Sequence, residues 1–222
     1  MKNLIIYILI GLTISGCSNK IPPFNDSLSK EKELYKIYPF KSAIVKYTFE
    51  GRGTKGTKVL YIDDWGILWA EYISMELGND DIVKESTIKN GSLIYNVNLD
   101  TNTAVKSSEA SRKTDEINLN AIANDFENID QALSWLDQNG IHLLGSENLN
   151  GYDCRVVEYK KGVMIRKCWV YNGLTLKSLE FIDKYLIHIH DENFTEIKLN
   201  VSIDPNLFEL PAGVKIVEDN SL

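Results

Sequence analysis

The sequence predicts a mainly β fold in which an antiparallel sheet carries inserted amphipathic helices. Three observations support this fold class. Apolar and polar residues alternate with a period of two over much of the chain, which is typical of strands with one buried face. Turn-forming residues recur at intervals that favour consecutive hairpins. One segment, 119–136, instead repeats its apolar residues at helical spacing.

Three stretches show the strand alternation most clearly, at Ala43–Phe49, Leu93–Leu99 and Thr195–Ile203. Two other runs, Val59–Ile62 and Ile67–Tyr72, are apolar at successive positions. One face of the sheet is therefore expected to contact more than solvent. The turns that separate the strands are predicted at 51–56, 64–66, 90–91, 100–102 and 172–173.

The helical segment contains two amphipathic stretches of the form i, i+3, i+4, i+7. Their apolar positions are Leu119, Ile122, Ala123 and Phe126, then Ile129, Ala132, Leu133 and Leu136. Asn139-Gly140 is expected to end the second helix. Both helices should lay their apolar stripe on the sheet, since neither surface is stable when exposed. They are either ordinary core helices or a cover over a cavity, and the two interpretations are compatible.

Composition and charge exclude several classes of protein. The chain has 222 residues, of which 44% are hydrophobic and 25% charged, as expected for a chain that folds. It carries 24 Lys and Arg against 31 Asp and Glu, a formal charge of −7, with no basic block. Nucleic-acid binding is therefore not expected, because phosphate contacts need clustered cations. Three cysteines and three histidines leave little material for a zinc site.

The first seventeen residues resemble a bacterial lipoprotein signal. Lys2 precedes the apolar run Leu4–Ile14, which is too short to span a bilayer and suits a signal-peptide core. Ile14-Ser15-Gly16-Cys17 then resembles a lipobox, in which the cysteine becomes the acylated N-terminus with palmitate-like chains. Removal of residues 1–16 would leave 206 residues with a charge of −8, because Lys2 is lost.

The signal sets the expected location and domain organisation. Several acyl chains on Cys17 would hold the protein stably on a membrane. Ser18 resembles an outer-membrane sorting signal, so the body is expected on the periplasmic side of the outer membrane. Residues 17–40 are polar and contain Pro22-Pro23, as in a tether, and 41–222 are expected to form a single monomeric domain.

A hairpin near the middle of the chain contains the other two cysteines. If Lys160-Lys161-Gly162 forms a three-residue loop, Cys154 and Cys168 lie directly opposite one another. A non-hydrogen-bonded antiparallel pair has Cα atoms about 4.5 Å apart, which permits a disulfide. An exported chain makes the bond chemically reasonable. We therefore expect a structural disulfide and no redox-active pair, because the motif Cys-x-x-Cys is absent.

Several loop and turn segments resemble a known group of envelope proteins. They are the early hairpin with Tyr61-Ile-Asp-Asp-Trp-Gly66, the segment Leu143–Cys154, the turn Asn172–Ser178 and the end Val201–Gly213. The chain looks like the lipoprotein-carrier superfamily of the Gram-negative envelope, the Lol-type half-barrels, over roughly residues 41–218. The strand arginine and protruding loop leucine of the best-known members have no match here, so no functional residue is carried over.

The resemblance implies an unclosed antiparallel half-barrel, covered by helices, whose apolar face accepts acyl chains of lipids or lipoproteins. The expected function is non-enzymatic lipid or lipoprotein binding of the kind used in lipoprotein sorting. The alternative is a structural or interaction lipoprotein with a filled core. If a pocket exists, the expected lining residues are Val45, Tyr47, Phe49, Tyr61, Trp69, Leu133 and Trp135.

No constellation supports catalysis, a cofactor or a metal. His188, His190 and Glu192 share one face of a predicted strand, with His142 as a further candidate ligand, but this face is interpreted as solvated. Gly51–Gly56 is glycine-rich but lies between strand-like runs, so it is interpreted as a hairpin turn and not as a phosphate loop. No Gly-x-Ser-x-Gly motif or Ser/His/Asp set is present.

Overall fold

The structure is a computed structural model that describes residues 36–78, 81–90, 93–108, 136–138, 140–182 and 187–217. Twelve strands fall within these ranges. They are β1 (Ala43–Gly51), β2 (Thr54–Asp63), β3 (Leu68–Leu77), β4 (Ile82–Asn90), β5 (Leu93–Asn98), β6 (Thr103–Ser108), β7 (Ile141–Leu149), β8 (Tyr152–Lys161), β9 (Met164–Tyr171), β10 (Leu174–Ile182), β11 (Ile187–Leu199) and β12 (Lys215–Val217).

All twelve strands belong to one sheet in the order β12-β6-β5-β4-β3-β2-β1-β11-β10-β9-β8-β7. Neighbouring strands are antiparallel except β12 and β6, which are parallel. The sheet begins with β12 and ends with β7, so it is unclosed. The predicted mainly β, antiparallel and unclosed architecture is confirmed. The two groups of consecutive hairpins meet along β1 and β11, which we call the seam.

Tight turns join several of the hairpins. Arg52-Gly53, Asn150-Gly151 and Asn172-Gly173 each place two residues at positive φ. That backbone is a type I′ turn, whose twist matches the flanking strands. The predicted turn at 172–173 is confirmed, whereas the turn predicted over 51–56 is shorter because Gly56 lies inside β2.

Two faces of the sheet can be defined from the strand register. We call the face that carries Val45 and Tyr47 the inner face, and the opposite one the outer face. The largest cluster of buried apolar residues joins β1 and β2 to β8, β9 and β10. Its fully or almost fully buried members are Phe40, Ala43, Val45, Tyr47, Ile62, Cys154, Val156, Trp169, Leu174 and Leu176.

The C-terminal segment covers the outer face of β3–β6. Phe208 is buried there against Ala70, Ile88, Val97 and Ala104. The Tyr72 hydroxyl donates a hydrogen bond to the carbonyl of Leu207 at 3.0 Å, and β12 then pairs with β6. This half of the sheet therefore has a core on its outer side that depends on residues 203–217.

Little helix is found in the described part of the chain. It consists of residues 136–138 and two 3-10 turns, Asp64–Gly66 and Pro205–Phe208. The two predicted amphipathic helices fall mainly on 109–135, outside the described residues, so they stay a prediction. Leu136, at the end of that segment, is buried against Val157, Cys168 and Val170. Among the described helices, not one has the length and apolar character needed to cross a membrane.

The predicted disulfide is not formed in the structure, in which Cys154 and Cys168 are not bonded to each other. The β8–β9 turn has two residues, Gly162 and Val163, because Lys161 pairs with Met164. Cys168 therefore faces Val157, three positions away from Cys154. An odd register shift moves a side chain to the other face of a sheet. The two thiols accordingly belong to different buried clusters.

Both thiols are expected to stay reduced in the folded protein. Burial, followed by the nearby Asp153 and Glu147 carboxylates, raises the pKa of the Cys154 thiol to about 11. The reactive thiolate is therefore scarce at pH 8. A thiol-reactive dye should label Cys154 and Cys168 slowly in the native chain and completely in urea without reductant. Absence of labelling at both positions in urea would contradict the observed register.

Candidate functional site

The structure brings four of the predicted lining residues to one face. Val45, Tyr47 and Phe49 lie at alternate positions of β1, on the inner face. Trp69 lies on the same face, because it pairs with Ile62 on β2, and Ile62 pairs with Ala43 on β1. Tyr61 lies on the outer face, where its ring meets that of Tyr72 edge to face. Leu133 and Trp135 lie outside the described residues.

The part of the inner face on β1 is packed. Val45 and Tyr47 are 0% and 3% exposed, and the Tyr47 hydroxyl donates a hydrogen bond to the carbonyl of Thr175 at 3.1 Å. The Phe49 ring lies beside Gly56, the residue opposite it on β2. A side chain at position 56 would overlap this ring. The predicted lining residues of β1 therefore contribute to a core in this structure.

Apolar side chains continue along the inner face onto β3 and β4. Trp69, Ile73 and Met75 lie on the inner face of β3, with Glu71 between Trp69 and Ile73, and Val83 is the neighbour of Met75 on β4. All four are partly buried. We call them the apolar strip. It differs from the packed surface on β1 because each of its side chains keeps some exposed area.

Charged residues lie beside the apolar strip, one each on β2, β3 and β11. The Lys58 ammonium is 2.7 Å from Glu192 Oε1 and 3.5 Å from Glu71 Oε2. The side chains of Lys58 and Glu192 are only 11% and 10% exposed. The ammonium also lies 4.4 Å from the centre of the Tyr47 ring, within the range of a cation–π contact. We call Lys58, Glu71 and Glu192 the inner charge cluster.

The inner charge cluster was missed by the sequence analysis. The predicted solvated strand face is wrong for Glu192, because the residue is buried and faces Phe49 across the seam. The sequence does contain a signal for Lys58. It alternates with Leu60 and Ile62 along the strand, so its side chain lies on the same face as theirs. A charged residue at an inward-facing position of a strand is unusual unless it is paired.

A second charged group lies farther along the sheet. Arg166 Nε is 3.3 Å from Glu180 Oε1, and its Nη1 donates a hydrogen bond to the Tyr159 hydroxyl at 3.2 Å. Glu180 pairs with Arg166 on β9 and with His190 on β11. The group is a structural ion pair with an aromatic neighbour, and it holds β8, β9 and β10 in register.

The histidine cluster considered from the sequence does not converge in space. The His190 ring is 5.7 Å from the ring of Phe49, and the His188 ring is 6.2 Å from that of Phe181. Glu192 instead binds Lys58. Within the described ranges, no three His, Cys, Asp or Glu side chains are grouped as metal ligands.

A polar cleft lies at the end of the sheet that carries the Arg52-Gly53 turn. Its volume is about 430 Å³. It is open beside the start of β11, where Ile189 contributes to the wall. The remaining lining includes the charged residues Glu50, Arg52, Lys55 and Glu76, and Lys55 is paired with Glu76 at 2.9 Å. The cleft therefore lacks the apolar character expected of a site for an acyl chain.

Comparison with known proteins shows a similarity of fold. The sequence matches no family model and no curated protein. An uncharacterized conserved protein from Thermus thermophilus has the same fold, with a TM-score of 0.53 and 13% identity over 87% of this chain and 100% of that chain.

Two further solved structures are more distant. PNGF-II gives a TM-score of 0.40 and 10% identity over 82% of this chain, which spans 31% of that protein. A LolA superfamily protein from Nitrosomonas europaea gives 0.36 and 11% over 81% of this chain and 95% of that chain. Similarities at these TM-scores carry no information on function.

Proposed function

We propose that this protein is a non-enzymatic lipoprotein of the bacterial envelope, anchored through acylated Cys17, whose inner sheet face binds an acyl chain. The outer membrane, with the body facing the periplasm, is the proposed location. The proposal combines two features, the lipoprotein signal at residues 1–17 and a binding surface on the folded body.

The apolar strip is the observation that carries this proposal. Ile73, Met75 and Val83 are neighbouring apolar residues on the inner side of an unclosed sheet, and Trp69 lies beyond Glu71 on the same face of β3. Apolar surfaces of this kind are typical of sites that bind hydrophobic ligands, with a few polar groups to fix orientation. The neighbouring inner charge cluster provides such polar groups. On this proposal the ligand lies on β3 and β4, whereas Val45 and Tyr47 form the core behind it.

The path of the chain supports a cover over this face. The chain leaves β6 at Ser108, and Leu136 is packed against Cys168 on β9. The register places Cys168 opposite Ser178, and Ser178 opposite Glu192 on the inner face. Residues 109–135 thus connect β6 to a point on the inner face of the other half. We propose that the amphipathic stretches 119–126 and 129–136 pack over the apolar strip as helices.

The packed surface of β1 favours one alternative. Complete burial of Val45 and near-complete burial of Tyr47 are what a filled core requires. In that case the protein would be a structural or interaction lipoprotein without a lipid ligand. The two functions differ in whether the apolar strip takes up a ligand.

Uptake of a fluorescent fatty acid by the purified chain tests the proposal. We expect saturable binding that Met75→Asp weakens at least tenfold, because a carboxylate in the apolar strip must be desolvated. Ser74→Asp is the matched control, since the neighbouring residue on β3 points to the outer face. It should leave binding unchanged. Thermal melts check that both variants fold.

Two results would contradict the proposal. Lack of saturable binding by the wild-type chain, together with a lipid-free mass in native mass spectrometry, would favour the filled core. Equal losses with Met75→Asp and Ser74→Asp would place the ligand elsewhere.

A further inference from the structure

We propose that Ser178, Lys58 and Glu192 form a site for the neutral head group of the bound lipid, a hydroxyl or an ester. This inference rests on the proposed acyl-chain binding and names the class of lipid. On this inference the inner charge cluster orients the ligand. The acyl chain lies on the apolar strip and the head group lies at the seam.

Ser178 is the first observation that supports this site. Its side chain is fully buried, and its hydroxyl has no hydrogen-bond partner in the described part of the chain. An unsatisfied buried hydroxyl costs free energy, so such groups are uncommon unless a water or ligand satisfies them. Ser178 lies directly opposite Glu192 on the inner face. The hydroxyl is therefore positioned beside an ion pair that solvent still reaches.

The position of the ion pair relative to the apolar strip is the second observation. Lys58 on β2 is the direct neighbour of Ile73 on β3. It also reaches across β1 to Glu192 on β11. A chain that lies along Met75 and Ile73 therefore has Lys58 beside Ile73 on β2 and Glu71 as the next inner residue of β3. Glu192 and Ser178 lie beyond Lys58, on the other side of β1. The site is continuous with the apolar strip and needs no separate cavity.

The charges of the site indicate which head group it accepts. Lys58 and Glu192 neutralise one another at 2.7 Å, and Glu71 is a second carboxylate within 3.5 Å of the same ammonium. A free carboxylate placed here would be repelled by two like charges. A hydroxyl can donate to Glu192, and an ester carbonyl can accept from Lys58 or Ser178. A neutral ester with a free hydroxyl therefore satisfies the site best.

A pair of serine variants tests this assignment. We expect Ser178→Ala to weaken the binding of 1-monopalmitoylglycerol about three- to tenfold, because one hydrogen bond is lost. The same substitution should weaken the binding of palmitic acid less than about twofold. Ser86→Ala is the control, because Ser86 is also buried with an unpartnered hydroxyl but lies on the outer face. It should leave both affinities unchanged. Affinities come from displacement of a fluorescent fatty acid from the purified chain.

The outcomes separate the inference from the proposed function. Tighter binding of palmitic acid than of monopalmitoylglycerol would overturn the neutral head-group site, while acyl-chain binding would stand. Equal effects of Ser178→Ala on both lipids would overturn it as well. Failure of both lipids and of the fluorescent probe to bind the wild-type chain would overturn the proposed function itself. Both alanine variants should melt at or above the wild-type temperature, because each removes an unpaired hydroxyl.

Discussion

Replacing Lys58 by methionine is expected to lower the free energy of unfolding by about 3–5 kcal/mol, the usual cost of removing one partner of a buried ion pair. The substitution leaves the Glu192 carboxylate, with a side chain 10% exposed, beside an apolar group. Glu71 loses the same ammonium. Methionine fills similar volume, so the loss reports on charge and not on a cavity. Urea denaturation at pH 7 measures it.

The same strand provides a control for this prediction. Lys55 on β2 forms an ion pair with Glu76 at 2.9 Å, but its side chain is 66% exposed. Exposed pairs contribute between about 0 and 1 kcal/mol, so Lys55→Met should change stability by no more than that. The double variant Lys58→Met with Glu192→Met should recover much of the loss, because apolar pairs can replace buried ion pairs. Similar losses for Lys55→Met and Lys58→Met would show that the inner charge cluster is not buried in solution.

Gly51→Ala should be the most damaging single-methyl substitution in the described part of the chain. A Cβ atom at this position would overlap the carbonyl oxygen of Ile189 and lie 2.9 Å from the Cα of His190. Both are backbone atoms of β11, so no side-chain rotation can relieve the contact. The seam must open locally, and we expect a loss of about 3 kcal/mol, as in severe overpacking. Chemical denaturation of the purified variant measures this loss.

Gly78→Ala is the matched substitution. Its added Cβ would meet only the carbonyl oxygen of Gly53, at 3.6 Å, which is an ordinary contact. We expect a change within about 0.5 kcal/mol, the usual range for surface substitutions. A stable Gly51→Ala variant would mean that β1 and β11 are farther apart than in this structure.

The strands themselves could be predicted because their signals are local. The alternation over Ala43–Phe49 and Leu93–Leu99 corresponds to β1 and β5. Asn172-Gly173 marks a turn through its backbone preference alone. Only the end of β11 differs, since the alternation predicted to Ile203 stops being a strand at Leu199. There the chain turns at Asn200, which has positive φ, and crosses to the outer face.

Register and long-range pairing could not be predicted in the same way. The predicted three-residue loop has Gly162 as its last residue, but in the structure Gly162 is the first residue of a two-residue turn. Both choices put glycine at positive φ, so local preference does not distinguish them. The inner charge cluster depends on the pairing of β1 with β11, and Lys58 and Glu192 are 134 residues apart in sequence. No local pattern encodes that contact.

The seam also has a consequence for the order in which the chain folds. β2 through β5 pair with strands adjacent in sequence, as do β7 through β10, so both groups can form soon after synthesis. The second partner of β1 is β11, whose paired residues lie 141 to 156 positions later in the sequence. Until β11 arrives, β1 presents an unpaired edge, and unpaired edges promote aggregation. The late closure of the β1–β11 ladder is therefore a step at which the newly made chain is exposed to misassembly.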